Sequence, residues 1–281
     1  MKIIGIILVK NEDIFIENSI KNIIKFCDKI IILDNYSTDK TNEIIKNIKN
    51  KFPNKIEYSR IVKISQSHKY IESYANKKNW IFQVDGDEIF DKKRLLILKK
   101  DIKTNKYNNF WRLGGVSLNC TELDNKFAKG FLSPPSKTKG VLFNFNAIKS
   151  WKNCKVERLH YGDIVFKNGF NHSKTKFLGN NWENSNLRNL HFFFFKRSSR
   201  EKEKIVARNA PFEIGKNRYL KSQIRYFVYL MISLIKGNMK LKSLFYLLKK
   251  NERLESLRKI EQYCKGNLVR KKLFNKKLFT L

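Results

Sequence analysis

The run Trp80-Ile81-Phe82-Gln83-Val84 is followed at once by Asp85-Gly86-Asp87-Glu88, which sets two carboxylates on either side of a glycine at the end of an apolar stretch. Carboxylate oxygens suit a hard divalent cation such as Mg2+ or Mn2+, which usually shares its shell with phosphates, and Gly86 lets the backbone come close. A second reading stands beside this one: Asp85 and Asp87 form a turn and cap the helix that starts near Asp91. Two more apolar runs end in polar or acidic residues, the first at Lys10-Asn11-Glu12 and the second at Asp34-Asn35. Ligands of open α/β sheets bind beyond the carboxyl ends of the strands, so these three ends belong to one candidate site. The first run lacks GxGxxG, which argues against a nicotinamide or flavin domain.

The elements that must position these residues follow from periodicity. Ile3 to Val9 reads as a buried strand, and Ile16, Ile20, Ile23 and Ile24 recur at helical spacing after it. KIIILDN is the second strand, and in the turn NYSTD either Thr38 or Asp39 can cap a helix whose apolar face is Ile44, Ile45 and Ile48. KIEYSRIVKI and WIFQV complete four strands, the pattern of βα units feeding a mainly parallel sheet. From about Asn108 to Phe195 the runs FWRLGGVSL, GVLFNFNAI and LRNLHFFFF are strand-like and separated by polar loops. From Ser198 onward the sequence reads as helical.

ILVKNED, IIILDNYSTDKTNEII and NWIFQVDGDEIF, in that order, resemble the first strand, the nucleotide-binding segment and the DxD motif of glycosyltransferase family 2, in the subgroup with a DGDE-type motif. The resemblance covers roughly the first 90 residues. It implies an α/β GT-A-like fold with a mainly parallel sheet flanked by helices, and a nucleotide-diphospho-sugar donor. It places Val9, Asn11 and Glu12 near the base and ribose, Asp34 and Asn35 at the base, Lys69 beside the nucleotide or diphosphate, and Asp85 with Gly86 near the ribose. Asp87 becomes the direct metal ligand, with Asp85 beside it. Asn35 departs from the commoner Asp of that segment. More loosely, WRLGG and LHFFFFKRSSREKEK are similar to a subgroup related to families 2 and 92, in which a histidine precedes a Ser-rich helix start. His191 matches that histidine as a further metal or diphosphate ligand, and His160 in RLHYGD is the other candidate. An inverting reaction needs a carboxylate to take the acceptor proton. Glu122, Asp124, Glu157 and Asp163 lie in the acceptor half, and Glu122 and Asp124 are the first two to test, although a solvated loop also accounts for them.

The 281 residues fit one large α/β domain with an extension, divided here into 1–216 and a basic amphipathic helical extension, 217–281. A formal charge of +34 implies an anionic partner, whether phosphorylated substrate, membrane surface or nucleic acid. No helix-turn-helix, RRM or zinc-finger signature accompanies the charge, so the rival reading, a basic nucleic-acid-binding protein, leaves the acidic strand ends unexplained. The four cysteines (Cys27, Cys120, Cys154 and Cys264) lie far apart, as expected of free thiols in the cytosol. From Asn217 the chain holds 17 Lys or Arg against 3 Glu, and YFVYLMISLI is too short to span a bilayer. Such a tail either packs on the domain or attaches it to anionic lipid at the inner face of the membrane. The expected function is transfer of a sugar from a nucleotide-diphosphate donor, a UDP-sugar first, to a hydroxyl of a glycan or glycolipid, in bacterial surface polysaccharide or lipo-oligosaccharide synthesis, with Mn2+ or Mg2+ as cofactor.

Overall fold

A computed structural model of the chain describes residues 1–124, 127–132, 140–154, 159–179, 181–192, 195–201 and 268–272. The first half alternates as its periodicity requires: β1 (Lys2–Val9), α1 (Ile16–Ile23), β2 (Lys29–Asp34), α2 (Thr41–Lys51), β3 (Ile56–Arg60), β4 (Asn79–Asp85), β5 (Glu88–Phe90) and α3 (Lys92–Lys103). Then come β6 (Arg112–Gly114), β7 (Val116–Leu123), β8 (Phe127–Leu132), β9 (Gly140–Asn144), β10 (Ile148–Lys152), β11 (Asp163–Phe166), β12 (Thr175–Phe177), β13 (Arg188–His191) and β14 (Leu268–Lys272).

Seven strands form the main sheet in the order β12-β6-β9-β4-β1-β2-β3. β1 pairs in parallel with β2 and β4, β2 with β3, and β6 with β12, while β9 runs antiparallel to its neighbours. The chain builds outward from β1 to β3 and then returns to lay β4 on the other side of β1. That reversal of order opens a crevice at the carboxyl ends of β1 and β4. Leu8 is level with Asp85 and Val9 with Asp34, so the acidic ends of β2 and β4 lie side by side across β1.

Strands buried on both faces explain the continuous apolar runs. Ile3, Ile7 and Val9 of β1 face Ile16, Ile20 and Ile23 of α1, Ile45 and Ile48 of α2, and Leu95, Leu98 and Ile102 of α3. Ile4, Ile6 and Leu8 face the other way, onto a layer holding Trp111, Phe143, Phe145 and Trp151. This is the mainly parallel sheet flanked by helices that the repeating pattern predicts.

A second sheet, β14-β8-β7-β13-β5, stands against the first. The chain passes between the sheets at two glycines. Gly86 lies between β4 and β5, and Gly115 lies between β6 and β7, where an added Cβ would sit 1.6 Å from the carbonyl oxygen of Leu187. The run FWRLGGVSL is therefore two strands and not one. A third core of Phe15, Ile89, Leu118, Leu190 and Phe192 fills this region, with Phe15 and Phe192 stacked at 4.7 Å.

Two sequence expectations change here. KIEYSRIVKI keeps only Ile56–Arg60 as strand, and Ile64–Tyr70 turns into a 3-10 helix, because Gln66 Oε1 accepts from the backbone N–H of Val62 and Lys63 and closes the chain on itself. The tail was expected to be helical over 217–281, yet Leu268–Lys272 is a strand antiparallel to β8, with the Arg270 guanidinium 4.0 Å from the Phe127 ring and Lys271 paired to Glu183 at 2.6 Å. The remainder of 217–281, including YFVYLMISLI, lies outside the described residues.

Asn22 fastens α1 to β5: its Oδ1 accepts from the Phe90 N–H at 2.8 Å and its Nδ2 donates to the Phe90 carbonyl at 2.8 Å, in a buried setting. Replacing Asn22 by Ala leaves both backbone groups buried without partners, at about 1–3 kcal/mol each. Chemical denaturation of Asn22→Ala is expected to show a loss of roughly 2–4 kcal/mol with an unchanged m-value.

Candidate active site at the seam of the two sheets

β4 ends in the main sheet at Asp85 and β5 begins in the second sheet at Glu88, so Gly86 and Asp87 form the seam itself. The turn has little freedom. Ser19 Oγ donates to the Gly86 carbonyl at 2.6 Å, and the Asp85 N–H donates to Glu88 Oε2 at 3.0 Å. A Cβ on residue 86 would lie 2.1 Å from Glu12 Oε2, so glycine is required for Glu12 to reach the seam.

Asp87 is fully buried and sits between two side chains from the far part of the sequence. His191 Nε2 lies 3.5 Å from its Oδ1, and Arg197 Nη1 lies 3.2 Å from its Oδ2. The same Arg197 nitrogen donates to Glu12 Oε1 at 2.8 Å. His191 stands at the end of β13, level with Asn119 of the parallel β7, and its Nδ1 lies 3.0 Å from Asn119 Oδ1. With Nδ1 protonated toward Asn119, Nε2 carries the lone pair that faces Asp87. One ligand atom each from Asp85, Asp87 and His191 lie within 4.8 Å of one another. Two carboxylates and an oriented imidazole are a donor set that fits a divalent metal ion.

The capping reading of the DGD turn is answered by the neighbour: Asp91, not Asp87, caps α3, accepting from the N–H of Lys93 and Arg94 at 3.1 and 3.3 Å, and Arg188 Nη2 holds its other oxygen at 2.7 Å. Glu88 is likewise committed, to Asp85 N–H and to Asn189 Nδ2 at 3.0 Å.

Residues 195–201 form a strap over the loops that follow β1 and β2. The Ile14 N–H donates to the Arg197 carbonyl at 3.1 Å, Ser198 Oγ donates to Asp39 Oδ2 at 2.6 Å, and Ser199 donates to Asp13 through its N–H at 2.7 Å and also through its hydroxyl. Burial works against the charge of the Asp39 carboxylate, but the donors Ser198 and Thr41 outweigh it and hold its pKa below the ordinary value. Burial likewise opposes the charge of Arg197, and the surrounding Glu12, Asp87, Glu201 and Asp85 outweigh that, so its pKa is raised. The guanidinium is a permanent charge.

The other expected residues sort as follows. Val9 is buried and its carbonyl accepts from the Asn35 N–H at 2.8 Å. Asn11 adopts φ 52° and its Oδ1 accepts from the Thr38 N–H at 2.7 Å, which joins the two loops. Asp34 is fully buried; it accepts from the Ser37 N–H at 2.8 Å and from Tyr58 Oη at 3.1 Å, and pairs with Arg60 Nε at 3.2 Å. Asn35 donates through Nδ2 to the carbonyls of Ile61 and Val62 at 3.0 and 2.9 Å. Lys69 is exposed on the 3-10 helix after β3. Glu122 and Asp124 are not brought to the acidic seam: Glu122 pairs with Lys129 at 3.2 Å, and Asp124 closes the β7–β8 hairpin on the Phe127 N–H and pairs with Arg270 at 3.3 Å. Asp163 is bound by Asn153 at 2.6 Å, His160 packs at 6.3 Å from Phe143 in the aromatic layer, and Glu157 lies outside the described residues.

Sequence reasoning missed Asn119, Arg197, and the Arg60 guanidinium lying 4.4 Å from the exposed Tyr36 ring at the mouth of the β2 loop. Arg197 stands inside the quoted KRSSR run, but nothing local marks it as the partner of residues 12 and 87.

The family model for glycosyl transferase family 2 matches residues 6–116 of the chain. The match takes in Glu12, Asp34, Asp85 and Asp87, whereas Asn119, His191 and Arg197 come from beyond it. No curated protein matches the chain. Among solved structures, S. aureus TarS 1-349 in complex with UDP is similar at 19% identity with a TM-score of 0.32, over 43% of this chain and 36% of that one. A mannose-6-phosphate isomerase from Helicobacter pylori is similar at 17% identity with a TM-score of 0.33, over 48% and 57%. The mannosyltransferase PcManGT from Pyrobaculum calidifontis in complex with GDP-Man and Mn2+ is similar at 16% identity with a TM-score of 0.31, over 43% and 36%. The chain thus spans between about a third and three fifths of the length of these proteins. Those scores are low, and the functional reading rests on the family match and the site geometry.

The Gly86 contact makes a prediction. Gly86→Ala drives Glu12 out of the seam, and with it the contact that fixes Arg197 and Asp87. Stability is expected to fall by about 1–3 kcal/mol, and pyrophosphate affinity in the presence of excess Mn2+, measured by calorimetry on the folded variant, by about tenfold or more.

Proposed function

We propose that the protein is a metal-dependent glycosyltransferase, hexosyltransferase-like, that moves a sugar from a nucleoside-diphosphate donor, a UDP-sugar, to a hydroxyl of a glycan or glycolipid acceptor. The observation that carries this reading is the convergence of Asp85, Asp87 and His191 at a strand end inside the crevice formed by the family-matched segment. Mn2+ or Mg2+, held by these three residues, supplies Lewis-acid neutralisation of the leaving diphosphate. The chain does the rest: Asn119 fixes the imidazole tautomer, Gly86 admits Glu12, and the loops after β1 and β2, joined by Asn11 and the strap, form the wall on which the nucleoside lies. Tyr36 and Arg60 supply a flat, cationic edge to that wall. The base that accepts the acceptor's proton is assigned to neither Glu122 nor Asp124, since both are engaged in the hairpin.

The setting belongs to the same proposal. A charge of +34 favours an anionic surface, and among the described residues no helix is long and apolar enough to cross a membrane. Peripheral attachment at the cytoplasmic face, in surface polysaccharide or lipo-oligosaccharide synthesis, fits both. Full-length protein is expected to co-sediment with anionic vesicles and not with zwitterionic ones at 0.1 M salt, roughly the regime in which the screening length is ~10 Å. Equal sedimentation with both would remove the membrane reading.

Asp87→Asn keeps size and turn geometry but removes the charge. Nucleotide-sugar binding by the wild type is expected to require Mn2+ or Mg2+ and to weaken by about 100-fold in Asp87→Asn, with little change in melting temperature. Failure of the wild type to bind any nucleotide sugar across a broad panel with either metal overturns the assignment. His191→Ala is expected to lower turnover per folded molecule by about 10- to 100-fold while leaving stability nearly unchanged. Loss of melting temperature with activity retained would make His191 a packing residue.

A further inference from the structure

Arg197 does not behave as a surface ion pair. Its side chain is 13% exposed, it bridges Glu12 and Asp87 through a single nitrogen, its carbonyl accepts from the Ile14 N–H, and its N–H donates to Glu201 Oε2. The strap is in turn fixed to Asp13 and Asp39, and Phe195 packs at 5.5 Å on Phe192, itself stacked on Phe15. A residue held at so many points is a fixed cation in the wall of the site. Its Nε–H is buried and has no acceptor among the described residues, so one strong donor of the guanidinium is unmatched there. A buried N–H of this kind is costly unless an acceptor reaches it, and an anionic oxygen is the acceptor it binds best.

Charge balance defines what such a cation does. Carboxylates outnumber cations around the seam: Glu12, Asp87, Glu201 and Asp85 all act on Arg197, and the guanidinium offsets only part of their charge. A divalent cation entering alone meets the repulsion of a fixed guanidinium that shares the Asp87 carboxylate. A cation entering with a diphosphate meets no such net penalty, because the phosphate oxygens bring negative charge to both.

We propose that Arg197 is a donor-site residue that makes the seam selective for the cation–diphosphate pair over the bare cation: it weakens binding of the metal alone and provides the second positive charge for the diphosphate. The inference rests on the metal-site reading above, extends it to the order of binding, and is tested without any sugar donor or turnover.

The experiment titrates full-length protein with Mn2+ alone, and with inorganic pyrophosphate at a fixed excess of Mn2+, by calorimetry, for the wild type, Arg197→Gln and Arg197→Lys. The Gln variant is expected to bind Mn2+ alone about tenfold more tightly and pyrophosphate about tenfold more weakly, while Lys, which keeps the charge, stays within about threefold of wild type in both. Opposite signs in the two titrations are the signature, since a merely structural role weakens both. Mn2+ affinity that is unchanged or weaker in a folded Gln variant overturns the proposal. Should the Gln variant fail to fold, the wild type decides: the proposal requires a Kd for Mn2+ alone above roughly 1 mM, and micromolar binding without phosphate sinks it. Absence of nucleotide-sugar binding together with the opposite signs would leave this inference standing and remove the glycosyltransferase reading instead.

Discussion

Three carboxylates forced together at the ends of neighbouring strands are the constraint on which the rest of the site depends. Register alone brings Asp85 level with Leu8 and so beside the loop that carries Glu12, and the turn into β5 adds Asp87. Buried like charges raise each other's cost unless a cation joins them. Arg197 is the protein's own answer, delivered from 185 residues away in sequence to Glu12 and from 110 to Asp87. The strap that carries it meets both loops of the crevice, at Ile14 and Asp13 after β1 and at Asp39 after β2.

That answer also explains why two sheets are needed. The main sheet supplies the crevice and one carboxylate; the second supplies His191 and Asn119 through the parallel pairing of β13 with β7. Asp87 belongs to both, since its carbonyl accepts from the Phe192 N–H at 3.0 Å while its carboxylate faces Arg197. The glycines at 86 and 115 are points where the chain changes layer without a side chain in the way. The antiparallel pairing of β5 with β13 ties the two ends of the seam together, and the Asn22 bonds to Phe90 brace β5 from the helix side.

Much of this was legible in the sequence where the information is local. Continuous apolar runs gave β1, β2 and β4, Ile spacing gave α1 and α2, and DGD at a strand end named the residues that meet His191. The second sheet was read only as a set of strand-like runs, because strand partners are chosen by tertiary packing and leave no periodic trace. FWRLGGVSL shows the difficulty: an unbroken strand pattern is split where Leu187 approaches Gly115, a contact 72 positions away that no window contains. Asn119 and Arg197 escaped for the same reason, each being polar for the sake of a residue far along the chain. The strand at Leu268–Lys272 was hidden by composition, since a Lys-rich alternation looks like a solvated helix face until β8 offers its edge and Phe127 and Glu183 receive the cations.

Acidic residues at strand ends look alike in sequence, and what separates them is the identity of the groups that satisfy their oxygens. Asp34 is served by the backbone of its own turn, by Tyr58 and by Arg60, partners that shape the β2 loop and that the fold cannot release without losing it. Asp91 is served by the first turn of α3 and by Arg188, as a cap is. Glu88 is served by the Asp85 N–H and Asn189, both inside the second layer's junction. Asp87 alone among these has an imidazole on one oxygen and an arginine on the other, and both are groups that can share a carboxylate with a metal and its phosphates. Asp34 and Asn35 also hold the loop together, through Ser37, Tyr58 and Arg60 and through the carbonyls of Ile61 and Val62. What that loop presents outward is the half-exposed Tyr36 ring under the Arg60 guanidinium, a surface that recognises a flat, electron-rich ring by stacking and charge. Charge at β2 is thus buried among partners of its own loop, whereas charge at β4 lies between an imidazole and a guanidinium that arrive from far along the chain.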